Sequence, residues 1–263
     1  MKRTRILVIA LLLGNLLLAS HLPVIAYDGA TSPDSAPAAG TDEMVLDDLD
    51  DDLDDDLDGE PAVRIADPLE PWNRLMYHFN DRLYFWALKP VARGYQAVVP
   101  KPARLGVRNF FTNVSTPIRM VNCFLQGKFD AAGKEFARFL YNSTMGILGF
   151  RDVAKSYAHL EMQDEDFGQT LGSYGLGHGI YLNLPFFGPS SLRDALGLVG
   201  DFALDPVFYL DPRAASLGVE AYEEVNDTSL RIGEYESFKE ATLEPYAALR
   251  DAYAQHREKV IGQ

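Results

Sequence analysis

The side chains able to do chemistry lie scattered through this sequence, and none stands with the partners a reaction needs. Gly188-Pro189-Ser190-Ser191 is a distant look-alike of the GxSxG elbow. A hydrolase would have to pair Ser190 or Ser191 with a histidine, and Ser191 reads better as a helix cap. The five histidines, His21, His78, His159, His178 and His256, are far apart. His78 and Asp81 are three residues apart and could share a helix face, as a surface hydrogen bond. Glu161, Asp164, Glu165 and Asp166 form an acidic run that reads as a solvated turn, with an ion site as the alternative. Gly175-Leu176-Gly177-His178-Gly179 is rich in glycine but lacks the strand-then-helix setting of a phosphate cradle. There is no HExxH, CxxC or P-loop pattern. The single cysteine, Cys123, cannot form an intramolecular disulfide and lies in the apolar run MVNCFL, which predicts burial. The expectation is a protein that is not an enzyme, with no catalytic residue, no metal and no cofactor.

What must position these residues follows from charge and periodicity. The chain has 263 residues and a net charge of −14, unevenly spread. Residues 1–26 carry three bases and no acid, residues 27–60 carry 14 acids and no base, and the remainder holds 21 bases against 24 acids. The body is itself divided: 12 bases and 5 acids over residues 61–140, then 9 bases and 19 acids over residues 141–263. A basic half suits anionic headgroups or an acidic protein, and equally a solvated mixed surface. Basic residues are not interleaved with aromatics as nucleic-acid binding requires.

The N-terminus reads as an export signal. Lys2, Arg3 and Arg5 precede an apolar run from Ile6 to Leu18, and Val24-Ile25-Ala26 supplies a cleavage site between Ala26 and Tyr27. A retained membrane anchor is the alternative, although the run is short of the ~20 residues of a span. Residues 27–66 read as a disordered acidic linker, rich first in Pro, Ala, Ser and Gly and then in DDLD repeats. A calcium tract, or a leucine stripe that folds on a basic partner, are the alternatives there. No later segment has 18 apolar residues in succession, so membrane contact by the body must be interfacial.

Residues 67–263 read as a mostly helical domain. Asp67-Pro68-Leu69-Glu70 opens a helix, with Asp67 as its cap. Trp72, Met76, Phe79, Leu83 and Trp86 recur at three- and four-residue steps, the apolar stripe of a membrane-interface helix that Pro90 ends or kinks. Further helices are expected over 101–114, over 116–127, from Lys128 with Phe129, Ala132, Phe136, Phe139 and Leu140 on one side, over a short piece from Phe150, after Ser191, and over 212–232 and 236–260, with Pro245 kinking or dividing the last. The six glycines between Asp166 and Pro189 predict a loop or hairpin rather than a helix.

Ordered motifs along this body carry a resemblance. Asp67-Pro68-Leu69-Glu70-Pro71-Trp72-Asn73-Arg74, Met76 to Asn80, Val99 to Arg104, Val121 to Gly127, Arg138 to Asn142, Gly149 to Ala154, Phe167 to Gly172, Tyr174 to Gly179 and Leu184 to Gly188 resemble the MlaA (VacJ) family. The resemblance implies an all-α, ring-like domain of amphipathic helices around a central channel, with a glycine-rich hairpin loop beside it. It implies a passive conduit in the inner leaflet of the outer membrane, which takes mislocalised phospholipid from the outer leaflet and passes it to a periplasmic lipid carrier, often beside a trimeric porin. By motif position the hinge loop falls on Gly175, Gly177 and Gly179. In the stretch LPFFGPSSLRD, Leu184, Phe186 and Phe187 would then enter the acyl region, with Arg193 near phosphate depth; ordinary core packing is the competing reading of the two phenylalanines. Such a path needs no nucleophile: a diacyl phospholipid exposes about thirty methylenes at ~0.8 kcal/mol each when it leaves a bilayer, so a continuous apolar path suffices. Members are usually lipoproteins, and this sequence has no lipobox cysteine, so the expected site at the periplasmic face of the outer membrane must be held by the amphipathic helices or by a porin. A porin-associated scaffold that moves no lipid is the alternative function.

Overall fold

The structure is a computed structural model and describes residues 65–262. The signal and its cleavage site at Ala26 and Tyr27, and nearly all of the acidic linker, lie outside the described residues. Helix α1 spans Glu70–Leu83 and runs through a π-helical turn, Tyr84–Leu88, into α2 at Lys89–Val98. Then come α3 Lys101–Val114, α4 Thr116–Leu125, α5 Phe129–Thr144, α6 Val153–Ala158 and α7 Phe167–Ser173. A two-stranded antiparallel hairpin follows, β1 Tyr181–Leu184 with β2 Gly188–Ser191, in the register Tyr181 opposite Ser191 and Leu184 opposite Gly188. Helix α8 Leu192–Leu204, a 3₁₀ turn Pro206–Tyr209, α9 Arg213–Arg231, α10 Glu234–Ala241 and α11 Pro245–Ile261 complete the chain. Packing closes into a circuit: α1 leads through the π turn to α2, α2 packs on α9, α9 on α3, α3 on α4, α4 on α7, α7 on α8, α8 on the hairpin, and the hairpin on α1.

Several local expectations change. Asp67 does not cap α1, whose cap position is Leu69 with no side-chain bond. Its carboxylate accepts from the Asn73 amide (2.7 Å) and the Tyr246 hydroxyl, with Arg250 3.6 Å away. These donors outcompete a backbone N–H because one carries a full charge. Pro90 does not end its helix. The wider π turn ahead of it lets the Lys89 N–H reach back to Tyr84, and Pro90 falls in the first turn of α2, where its missing N–H costs nothing. Pro245 divides the last segment into α10 and α11. Ser191 caps α8 as expected, accepting from the Asp194 N–H at 3.1 Å.

The glycine-rich segment is only partly a loop, because residues 167–173 form α7. A Cβ at Gly168 would lie 2.5 Å from Asp194 Oδ1, and one at Gly197 of α8 would lie 2.5 Å from the Gly168 nitrogen. The helix cost of glycine is offset by close approach of α7 and α8, which a side chain would prevent.

The interior is mostly polar. The largest fully buried side chains are Tyr181, Glu135, Asn73, Asn122, Asn183, Asn226, Thr170, Cys123 and Ser191. Cys123 is buried as expected, and burial pushes its thiol up to about 11. The α5 stripe faces the other way from a core stripe: Ala132, Glu135, Arg138 and Asn142 are buried, while Phe129, Phe136, Phe139 and Leu140 are exposed. Glu135 is held by Arg119 Nε (2.9 Å) and the Gln163 N–H (2.8 Å), and Arg138 by Asp152 (2.9 Å).

Gly197→Ala should lower stability by roughly 2–4 kcal/mol, because its methyl meets backbone that cannot yield. Gly218→Ala, in α9 with nothing within 4 Å of a Cβ, should raise it by about 0.5–1 kcal/mol. Thermal melts of the two variants check both signs.

Candidate functional site

The hairpin is fastened to α1 by two asparagines one heptad apart. Asn73 donates to the Tyr181 carbonyl (3.0 Å) and accepts from the Asn183 N–H (2.8 Å). Asn80 donates to the Leu184 carbonyl (2.9 Å) and accepts from the Phe186 N–H (2.8 Å). Each amide mimics a peptide unit, so one face of α1 acts as a partial third strand for the hairpin. Both residues lie inside a motif quoted for its resemblance, but nothing about a surface-spaced asparagine announces this role. The turn it fixes is tight: Phe186 and Gly188 have φ of 72° and 78°. Phe186 lies edge-to-face on Phe79, 5.2 Å between centroids, and Phe187 on Phe202 at 6.4 Å. Leu184, Phe186 and Phe187 are half-buried.

Ahead of the hairpin, Gly175, Gly177 and Gly179 are exposed. Gly175 and Gly179 require φ of 87° and 71°, conformations that favour glycine, whereas Gly177 has neither a positive φ nor a neighbour within 4 Å of a Cβ. The loop is tethered at His178, whose Nε2 lies 2.9 Å from Glu258 Oε2 of α11 and whose carbonyl accepts from the Arg193 N–H at 3.3 Å. Arg193 is buried: its side chain is 2% exposed, donates from Nε to Asp194 (2.8 Å), and lies 3.4 Å from the Leu176 carbonyl. It braces the loop from beneath.

Behind the loop sits a buried charge cluster. Arg257 of α11 bonds Asp166 (2.6 and 2.9 Å) and Asp194 (3.0 Å), and the Tyr253 hydroxyl also donates to Asp194. Burial would raise Asp166, but the Arg257 charge outweighs it and holds the carboxyl at about 2. The acidic run is therefore only partly solvated: Glu161 and Asp164 are exposed, while Glu165 and Asp166 turn inward. Asp166 also caps α7 through the Gln169 N–H, and Glu165 takes Gln126 and Lys128, each at 2.7 Å. Nearby Asp201 accepts from Asn122 (3.1 Å) and the Phe167 N–H (3.0 Å). Burial and then the Asp166 charge push it up to about 7. Asp81 turns away from the role proposed with His78 and takes Tyr235 (2.9 Å) and Lys239 (2.7 Å). Ser190 and Ser191 are buried and bonded locally, Ser190 to the Ser191 carbonyl and Ser191 to the α8 N-terminus.

Many large apolar side chains are exposed. Trp72, Phe79 and Trp86 of the predicted stripe are exposed, Trp86 to 78%, while Met76 and Leu83 are half-buried. Phe124, Phe129, Phe136, Val98, Leu196 and Val199 are exposed as well. The turn at residues 145–150, where Gly146 and Gly149 interrupt the helical pattern, exposes Met145, Ile147, Leu148 and Phe150, with Ile147 and Leu148 at φ of 55° and 57°. Apolar side chains in two successive left-handed residues are strained and rare. Among the described residues no helix is long and apolar enough to cross a membrane.

A family model described as MlaA lipoprotein matches residues 65–260. The "Intermembrane phospholipid transport system lipoprotein MlaA" of Shigella flexneri is 39% identical over 197 residues, 73% of this chain and 77% of that protein. Its namesake from Escherichia coli strain K12 is 38% identical over 197 residues, with the same coverage. An uncharacterized protein of Rickettsia felis is 34% identical over 201 residues, 76% of this chain and 80% of its own. A solved structure described as "Structural basis for maintenance of bacterial outer membrane lipid asymmetry" superposes with a TM-score of 0.66 at 35% identity, covering 74% of this chain and 99% of that one.

The Asp201 carboxyl has a folded pKa above its unfolded value, so the fold binds the extra proton and loses stability as pH rises from about 4 to about 7. Asp201→Asn keeps the Oδ1 acceptor and removes the charge. It should raise the melting temperature at pH 8, by the equivalent of roughly 2–4 kcal/mol, and leave it little changed at pH 4; melts at the two pH values check this.

Proposed function

Because this chain belongs to the MlaA family, we propose that it acts in intermembrane phospholipid transport, as a passive conduit for phospholipid at the outer membrane. The observation that carries this reading is the inverted distribution of side chains: Glu135, Arg119, Arg138, Asn122 and Asn226 inside, and Trp72, Trp86, Phe124, Phe136 and Leu148 outside. Exposed apolar surface of this extent belongs against lipid or another protein. With no spanning helix among the described residues, the fitting place is one leaflet of a bilayer, with helices lying in the plane of the interface. The polar interior then offers a lipid headgroup what the apolar exterior offers its tails, and lipid transfer of this kind breaks no covalent bond.

The finer reading follows from the same balance. The protein sits on the periplasmic face of the outer membrane, withdraws phospholipid misplaced in the outer leaflet and yields it to a periplasmic lipid carrier, with a trimeric porin against part of the apolar exterior. The relatives from Shigella flexneri and Escherichia coli are named lipoproteins. Here the sole cysteine is the buried Cys123, so we assign the hold on the membrane to the apolar helices, chiefly the stripe from Trp72 to Trp86. Gly175, Gly177 and Gly179 serve as the hinge of a loop that gates the path, with Leu184, Phe186 and Phe187 meeting acyl chains.

A strain lacking the gene should accumulate phospholipid in the outer leaflet, read with a membrane-impermeant amine label, and the wild-type gene should reverse it. Gly175→Val forces a β-branched residue to φ of 87°, so it should fail to complement or should leave the path permanently altered. Unchanged outer-leaflet lipid in the deletion strain would sink the conduit. Full complementation by Gly175→Val would remove the loop from the mechanism and favour the porin scaffold. Trp72→Asp with Trp86→Asp should reduce flotation with vesicles on the order of ten-fold or more, since each change moves a large apolar side chain out of the interface.

A further inference from the structure

The five residues from Gly175 to Gly179 run between two fixed ends. Upstream, the last turn of α7 accepts the Gly175 and Leu176 N–H groups at 2.8 and 3.0 Å, and the Tyr174 hydroxyl donates to the Leu125 carbonyl at the end of α4 (2.6 Å). Downstream, Ile180 bridges to Ala66, and the Tyr181 N–H donates to the Ala66 carbonyl at 2.8 Å. Between these ends only Leu176 and His178 carry a side chain. Leu176 is 47% exposed, so it grips little. The two contacts of Arg193 with the loop backbone, 3.4 Å to the Leu176 carbonyl and 3.3 Å to the His178 carbonyl, are long for hydrogen bonds. The side-chain hold on the span therefore falls to His178.

His178 donates from Nε2 to Glu258 Oε2 at 2.9 Å. The two partners differ in surroundings: the imidazole is 16% exposed and the carboxylate 59%. A hydrogen bond to a carboxylate this open to water holds weakly. Nδ1 of the same ring is buried without a partner, so a ring that leaves its seat returns Nδ1 to water and offsets part of the loss. The backbone can follow. A Cβ at Gly175 or Gly177 would meet nothing within 4 Å, so the span has room to swing. The catch itself stays put. Arg257, next to Glu258 on α11, is bonded to Asp166 and Asp194 and fixes that helix to α7 and α8.

We propose that the His178–Glu258 pair is the latch of the glycine-rich loop: α11 seats the span through this one side chain, and the span leaves its seat when the pair parts. This rests on the reading of the loop as the gate of a phospholipid conduit, and it assigns α11 the role of keeper. His178 is a positioning residue; it acts by where it holds the loop and needs no contact with lipid.

The test measures amide hydrogen exchange of the full-length protein by mass spectrometry, on peptides covering residues 174–180 and 246–254. His178→Ala and Glu258→Ala should each speed exchange in the loop about five-fold, equivalent to roughly 1 kcal/mol. The double variant should exchange no faster than either single one, because both remove the same contact. His178→Gln, whose amide can donate from nearly the same place as Nε2, should restore most of the protection. Exchange over residues 246–254 should stay as in wild type. In a deletion strain, His178→Ala should leave outer-leaflet phospholipid about two-fold above the level that the wild-type gene gives, since an unlatched gate lets lipid move both ways, and His178→Gln should bring it back. Unchanged loop exchange in either single variant, independent effects that multiply in the double variant, or faster exchange over residues 246–254 as well, overturns the latch. Faster loop exchange with outer-leaflet phospholipid at the wild-type level overturns its part in gating and leaves the conduit standing. Failure of the wild-type gene to lower outer-leaflet phospholipid in that strain overturns the conduit itself.

Discussion

Glu135 is wholly shut off from solvent, and the fold depends on its being answered. Arg119 and the Gln163 N–H meet its two oxygens, Arg138 lies 3.8 Å away, and Arg138 in turn reaches Asp152. Removing one partner of such a set leaves an uncompensated charge inside and costs several kcal/mol. The set joins α4, α5, the start of α6 and the segment before α7. It lets these helices turn their polar faces toward one another. Once those faces are turned inward, the phenylalanines of α5 have nowhere to go but out.

The same logic runs through the other joints. Arg257 sits between Asp166 and Asp194 and ties α11 to the start of α7 and to α8. Asn73 and Asn80 hold the hairpin by its backbone, and the rings of Phe186 and Phe187 at its tip rest on Phe79 and Phe202. Tyr95, Asn226 and Arg104 join α9 to α2 and α3 through hydrogen bonds, beside ring contacts of Tyr222 with Tyr95 and Phe111. A protein that must present carbon to lipid gains little from burying carbon inside, since the hydrophobic drive for burial vanishes where the surroundings are themselves hydrocarbon. Directional bonds then specify the packing.

Much of this was legible along the chain. Periodicity located most of the helices, Pro245 divided the last two, Ser191 capped α8, and among the described residues no helix is long and apolar enough to cross a membrane, as the lack of a long apolar run there implied. The misses share a cause. Asp67 looked like a cap because Asp before Pro is a local signal, and its actual partners, Tyr246 and Arg250, are some 180 residues away. Gly168 and Gly172 looked like loop residues because what a side chain would strike there, Asp194 and Arg257 at Gly168 and Ile261 at Gly172, is brought in by α8 and α11.

The sequence by itself determined where the helices run, which residues share a stripe, that Cys123 stands alone, and, through ordered motifs, the family. Only the tertiary structure decided which stripe faces inward. A helix with phenylalanine on one side and Glu135, Arg138 and Asn142 on the other has the same periodicity whether carbon or charge is buried. The choice depends on whether partners for the charges exist elsewhere in the chain, and Arg119, Asp152 and Gln163 are that answer.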